Sequence, residues 1–295
     1  MRKFVIIGDS CCDLDFNLRS QYDIDYIPMH FNANGKEYVA DLDWKELPVK
    51  DFYNLMRSGT RILTAQVTAF QYQEKFEKYL KEGYDVLSIS CSSALSSSVK
   101  ASYTVRDELM KKYPECKIVC VDSLNSSFGI GLLCIRASIL RSEGKTIEEV
   151  EEEINKLRFK INQIITPEKL SYLKQAGRVS ATSAFFGGIL NIKPIIISDA
   201  KGQNVAIEKV KGRKVAFERI AELTKEVYEE LDYQMIYICH SDCEDDANEL
   251  KRLILEKVKT NVEIKLGYIG PIVGGSVGPG SVAVQLFGKE VTLNK

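Results

Sequence analysis

Histidine is nearly absent from this sequence: only His30 and His240 occur. Each lies in or beside an apolar run, where a lone imidazole is more often structural than catalytic. No G-x-S-x-G elbow surrounds Ser92 or Ser93, so neither sits on the strained turn that a hydrolase nucleophile needs. Neither G-x-x-x-x-G-K-[ST] nor G-x-G-x-x-G occurs, which argues against a self-contained nucleotide enzyme. The 8 cysteines include no C-x-x-C. Cys11 and Cys12 are adjacent, and Cys91, Cys120, Cys134 and Cys239 lie in apolar runs as small hydrophobes, so neither a zinc site nor a disulfide framework is indicated. The opening apolar run, Phe4 to Ile7, stops at Gly8-Asp9, too short for a signal peptide or a membrane span. Charge is also nearly balanced, at −1, which points to neither nucleic acid nor an anionic membrane. Asp242, Glu244, Asp245 and Asp246 suit a helix start better than a metal site, having no EF-hand spacing. A soluble, cytoplasmic chain with reduced thiols, no metal and no cofactor is expected.

Serine is present in quantity, and clustered. Val86 to Cys91 reads as a buried strand running into Ser92, Ser93, Ala94, Leu95, Ser96, Ser97 and Ser98. Beyond it, Leu95, Val99, Ala101, Tyr103, Val105 and Leu109 fall within about half a helical wheel, a core-facing surface. The first turn of such a helix carries N–H groups without intrahelical partners and the positive end of the macrodipole. Hydroxyls of Ser92, Ser93 and Ser96 would add donors there, giving a cradle for a carboxylate or phosphate without a lysine. On the local pattern alone the competing reading stays open, in which one serine is an N-cap and the others are incidental.

The flanking chain alternates strand and helix. Trp44 to Met56 reads as helical. Arg61 to Thr68 leads into a helix reaching Gly83, with Thr68 and Gln71 as a capping box and Val67 and Tyr72 as a hydrophobic staple. Thr68 thus has a structural role, whereas Thr64 has none and is the better functional candidate. Ile118 to Ser123 is a further strand feeding an apolar helix to Arg141, whose Gly129 and Gly131 allow close backbone approach. Thr146 and Glu149 form a second capping box, for a charged helix to about Asn162. These βαβ units imply a mainly parallel sheet. The second half contains a helix from Glu168 to Gln175, an apolar glycine-containing helix from Ser180 to Leu190, strands at Ile192–Ile197, Val205–Ile207, Met235–His240 and Val262–Ile269, and helices to Leu231 and over Asp242–Lys259. Gly270 to Gly280 reads as a loop before a last strand, Val282 to Phe287. The boundary is expected near residues 160–166, dividing the chain into an N-terminal α/β domain, 1–162, and a C-terminal α/β domain, 163–295. Its chemistry is an anion cradle beside apolar helices, suited to a small anionic head and a long apolar body.

In this light, Asp9-Ser10-Cys11-Cys12-Asp13-Leu14 resembles the D-S-T-x-D-L opening of the DegV family, the fatty-acid-binding subunits of bacterial fatty acid kinase. Thr64-Ala65-Gln66 resembles the family's T-S-Q, Ser92 to Ser98 its S-S-x-L-S-G-T, and Asp122-Ser123 a matching pair. Further on, Leu173 to Val179 resembles L-K-x-G-G-R-I and Asn191 to Ile195 the N-I-K-P-I/L that follows, while Gly270-Pro271 to Gly278-Pro279-Gly280 resembles the closing G-P…H-x-G-P-G. The resemblance spans the chain in order. It implies the EDD fold, with a mainly parallel α/β N-terminal domain, a two-layer α/β C-terminal domain and a long-chain fatty acid between them. Thr64, Ser92, Ser93 and Ser276 would address the carboxylate, and Arg178 and Arg213 stand at positions associated with partner contact or head-group surroundings. A surface arginine capping a helix end is the competing reading for both. Three positions depart from the pattern: Ala65 replaces serine, Ser97 replaces glycine and Ser276 replaces histidine. The expected function is a lipid carrier with no catalytic residues, presenting its ligand to a separate fatty acid kinase. The alternatives are a small-molecule kinase or transferase related in fold to dihydroxyacetone kinase, and a lipid sensor without a kinase partner.

Overall fold

The structure, a computed structural model, describes residues 2–180 and 191–295. The expected helix over Ser180–Leu190 lies, apart from Ser180, outside the described residues. From its start the chain forms β1 (Phe4–Asp9), a 3₁₀ turn over Ser10–Cys12, α1 (Phe16–Tyr22), β2 (Ile24–Ile27), β3 (Met29–Ala33), β4 (Lys36–Ala40) and α2 (Val49–Arg57). Next come β5 (Ile62–Ala65), α3 (Ala69–Lys81), β6 (Asp85–Ser90), α4 (Ser98–Lys112), β7 (Ile118–Asp122), α5 (Phe128–Ser142) and α6 (Ile147–Leu157). The remainder is β8 (Ile161–Thr166), α7 (Leu170–Ala176), β9 (Ile192–Ser198), β10 (Asn204–Lys211), α8 (Arg213–Val227), β11 (Ile236–His240), α9 (Glu244–Val258), β12 (Ile264–Tyr268), α10 (Pro271–Val277) and β13 (Val282–Phe287).

Helical crossovers between apolar strands give parallel pairing, and the first sheet, β2-β1-β6-β7, is parallel throughout. Every residue of β6 is buried, as expected for a strand covered on both faces. A small antiparallel sheet, β4-β3-β5, stands beside it. Its turn is Asn34-Gly35, with φ of 54° and 81°, the paired positive values of a type I′ hairpin. The third sheet is mixed, in the order β10-β9-β8-β13-β11-β12. One face packs on α8 and α9 through Ile164, Ile195, Phe217, Ile220, Leu250 and Ile254. Its other face, including Ile165, Ile196, Tyr237 and Ala283, joins the core of the first half.

Helix α5 joins these layers. Eleven of its 15 residues are buried, so it has no solvent face to spare. It touches β1 and β6 of the parallel sheet and β8 and β13 of the mixed one. Gly131 serves packing here: a Cβ would come 2.9 Å from both the Cys12 carbonyl oxygen and Leu14 Cδ2.

Both expected capping boxes are present, Thr68 with Gln71 and Thr146 with Glu149. Three expectations need correction. The charged helix stops at Leu157, and Asn162 lies in strand β8. Trp44 precedes helix α2 and sits at φ 56°, a left-handed conformation unusual for a bulky residue. Residues 271–277 are helical rather than loop. Pro271 at the first turn suits a helix start, but Gly274 and Gly275 disfavour its continuation. Packing decides instead, because a Cβ would lie 2.4 Å from the Tyr53 hydroxyl at Gly274 and 2.8 Å from Ile62 Cγ2 at Gly275. Among the described residues, no helix is long and apolar enough to cross a membrane.

Candidate ligand-binding cavity

A cavity of about 440 Å³ opens where the serine loop after β6, strand β5, helix α10 and the mixed sheet meet. Four of the six candidate residues reach it: Thr64, Ser93, Ser276 and Arg178. Ser92 and Arg213 do not.

The serine loop explains the difference between Ser92 and Ser93. Ser92 is fully buried; its Oγ donates to the Gly202 carbonyl at 2.9 Å and accepts from Ala94 N–H at 3.2 Å. Its carbonyl accepts from the N–H groups of Leu95 and Ser96, each at 2.9 Å, which winds the loop around it. Ser92 therefore fastens the loop to the 199–203 turn. Helix α4 begins only at Ser98, so Ser92 and Ser93 are not in its first turn, and the cradle drawn from the sequence is displaced. Ser96 and Ser98 hydrogen-bond each other at 2.9 Å, and Ser98 accepts from Val67 N–H at 3.1 Å. Ser93 is half-buried; its N–H donates to Asp122 Oδ1 at 3.2 Å, and its hydroxyl makes no hydrogen bond to another described residue.

Thr64 and Ser276 share that condition, half-buried on the cavity wall with no hydrogen bond from the hydroxyl to a described residue. Gly275 brings their elements together, since a Cβ there would already lie 3.5 Å from Thr64 Cγ2. Thr64, Ser276 and Arg178 also border an adjoining cleft of about 300 Å³. Arg61, Lys169 and Arg178 line it and, among the described residues, no carboxylate does, so the hydroxyl end of the cavity gives onto a basic mouth.

Arg178 follows Gly177, the left-handed residue that ends α7, and its Nε donates to the Leu95 carbonyl at 3.3 Å, tying α7 to the serine loop. Arg213 is committed elsewhere. Its guanidinium donates to Asp246 Oδ2 at 2.8 Å, Glu168 Oε2 at 3.0 Å and the Gly280 carbonyl at 2.6 Å. Lys193 reinforces that knot through Glu168 Oε1 at 2.7 Å. Arg213 is a brace between α8, α9 and the β13 approach.

Sequence reasoning missed the polar side of the cavity. Gln285 Nε2 donates to Gln163 Oε1 at 3.0 Å, and Gln163 Nε2 to Asn204 Oδ1 at 3.2 Å. Asn204 Nδ2 donates in turn to the Arg178 carbonyl at 3.0 Å. The available signal was a glutamine inside each of the apolar strands β8 and β13. Cys11, Met29 and Cys91 give the same cavity a sulfur-rich stretch of wall. Asp9 accepts from Cys11 N–H and Cys91 N–H, each at 2.9 Å, and Cys11 Sγ lies 3.8 Å from Met29 Sδ. Burial pushes Asp9 up to about 6, against the two N–H groups that favour its charge. Among the described residues, no group of three or more His, Cys, Asp or Glu is placed to hold a metal ion.

A family profile described as "Uncharacterised protein, DegV family COG1307" matches residues 3–289. A DegV domain-containing protein of Clostridium perfringens is 37% identical over 289 residues, 98% of each chain. A DegV lipid-binding protein of Thermotoga maritima superposes with a TM-score of 0.85 at 26% identity, over 98% of this chain and 100% of that one. A fatty-acid-binding DegV family protein of Thermus thermophilus superposes at 0.86 with 25% identity and the same coverage. Matched over 98% of its length in sequence and in fold, this chain belongs to the DegV family.

Proposed function

We propose that the protein encloses one long-chain fatty acid in the 440 Å³ cavity, with its carboxylate at Thr64, Ser93 and Ser276. It presents that carboxylate at the basic mouth to a separate fatty acid kinase and performs no chemistry itself. The observation carrying this reading is the convergence of three half-buried hydroxyls, from β5, the serine loop and α10, that no described residue hydrogen-bonds. Buried polar groups find partners, and a carboxylate accepting three hydroxyl donors would supply them. Ile165, Ile196, Ile269 and Ile272 give the acyl chain an apolar surface, where each buried methylene is worth about 0.8 kcal/mol. The lipid- and fatty-acid-binding relatives of matching fold support the ligand class.

Ser276 favours a second reading, a lipid sensor that meets no kinase, because a serine brings no positive charge to the head group. Mass spectrometry of the purified protein, native and after organic extraction, tests the shared claim. One acyl ligand per chain is expected. A ligand-free protein that takes up no fatty acid, or ATP turnover by the chain alone, would overturn it.

A further inference from the structure

Ile269 and Ile272 line the fatty-acid cavity, while Gly270, between them, lines a second one of about 320 Å³. Its walls carry the rings of Trp44, Tyr237 and Tyr268, the carboxyl groups of Asp13, Asp15 and Glu244, and the imidazole of His240. Among the described residues, no lysine or arginine lines it. We infer that this cavity is a binding site for a small organic ammonium ion, separate from the acyl site.

Four observations carry the inference. First, the rings are held in place before any ligand arrives. Tyr237 stacks on Phe128 at 3.5 Å between centroids, Tyr268 packs against His240 at 4.6 Å, and Trp44 meets Phe52 at 5.5 Å. Gly267 admits the Tyr237 hydroxyl, which a Cβ there would meet at 2.3 Å. Fixed ring faces attract a cation through their quadrupoles. Second, Asp13 is 6% exposed; its Oδ2 accepts from Ser127, while Oδ1 lies buried against the Gly270 backbone without a well-formed hydrogen bond. Burial pushes this carboxyl toward its protonated form, and a cation beside it would favour the charged one. Third, two guanidinium groups on flanking elements are engaged: Arg57 pairs with Asp242 at 2.5 Å and Arg19 with Asp43 at 2.8 Å. His240 adds no charge, since burial lowers its pKa, and its Nδ1 accepts from Cys243 N–H at 3.3 Å. Fourth, no metal-binding trio forms among the described residues, and aromatic walls suit an alkylammonium better than a hard metal ion.

The sequence contains one tryptophan, Trp44, and it lines this cavity, so intrinsic tryptophan fluorescence reports on ligand entry here. The experiment titrates the intact protein with choline and with n-butylamine at neutral pH, alongside the uncharged analogues 3,3-dimethylbutan-1-ol and butan-1-ol. A saturable change with at least one ammonium compound, and none with its uncharged analogue, is expected. In the double variant Asp15→Asn, Glu244→Gln the midpoint should rise at least about fivefold. Asparagine can still cap α1 at position 15, and circular dichroism checks the fold. Saturation by neither ammonium compound, equal responses to charged and uncharged analogues, a response to magnesium or calcium only, or an unchanged midpoint in the double variant would each overturn the assignment. Fatty-acid content, measured on the same samples, separates failure of this site from failure of the acyl reading.

Discussion

Ser127 Oγ donates a 2.6 Å hydrogen bond to Asp13 Oδ2, and the two residues face different cavities, Ser127 the acyl one and Asp13 the aromatic one. Ser127 does so from φ 53°, a conformation costly for serine by roughly 1–3 kcal/mol. The pair lies at the head of α5, the helix that both large sheets share, with one residue on each cavity.

Asp13 should make stability depend on pH. Burial pushes its carboxyl up from 3.8 to about 7, so the folded state holds a proton that the unfolded state releases. Its favourable contribution is complete below about pH 4 and is lost as pH rises through about 7. Relative to wild type, Asp13→Asn should therefore gain stability between pH 4 and 8, on the order of 2–4 kcal/mol. Urea unfolding of both proteins across that range measures it. Parallel pH profiles would contradict the burial of a titrating carboxyl at this position.

The two adjacent serines should behave differently. Ser92→Ala removes two buried hydrogen bonds and should cost roughly 1–3 kcal/mol of stability while leaving the affinity of the remaining folded protein little changed. The double variant Thr64→Ala, Ser93→Ala should do the reverse, losing two hydrogen bonds to a charged group, worth roughly 1.5–3 kcal/mol each. Thermal unfolding and fatty-acid binding, measured on the same preparations, distinguish them. Unaltered affinity in the double variant would sink the head-group assignment.

Arg178 and Arg213 should separate in the same way. Arg213→Ala breaks ion pairs to Glu168 and Asp246 and should lower thermal stability. Arg178→Ala removes one guanidinium from the basic mouth and should slow phosphorylation of the bound lipid by a cognate kinase, with the melting temperature nearly unchanged. A normal phosphorylation rate would exclude Arg178 from partner contact.

At Ser276 the side chain cannot become cationic. Fatty-acid affinity in the wild type should stay nearly flat between about pH 5.5 and 8, where a histidine of ordinary pKa near 6.5 would titrate. Ser276→His should tighten binding at the acid end, where the imidazolium faces the carboxylate. A pH series of dissociation constants checks both. A tenfold wild-type change across that window would assign the carboxylate to another, titrating group.

Much of the fold was legible because local signals and packing agree. Thr68 with Gln71 and Thr146 with Glu149 announce their helices by side-chain chemistry alone, and the apolar runs at β1, β6 and β7 announce a covered parallel sheet. Helix α10 was hidden because glycine propensity argues one way and the close approach of Tyr53 and Ile62 the other. Spacing could not separate Ser92 from Ser93: one-residue alternation sends the first hydroxyl to Gly202 and leaves the second on the cavity, and Gly202 is far along the chain. Arg213 likewise shows its role only once Glu168, Asp246 and Gly280 are brought around it.

The central claim is the position of one carboxylate, and a crystal structure of the protein refolded with oleate tests it most directly. The account predicts one acyl chain in the cavity with its carboxylate oxygens about 2.5–3.0 Å from the hydroxyls of Thr64, Ser93 and Ser276. A chain running the other way, with its carboxylate on the Gln163–Gln285 amides, or a ligand bound outside this cavity, would contradict it.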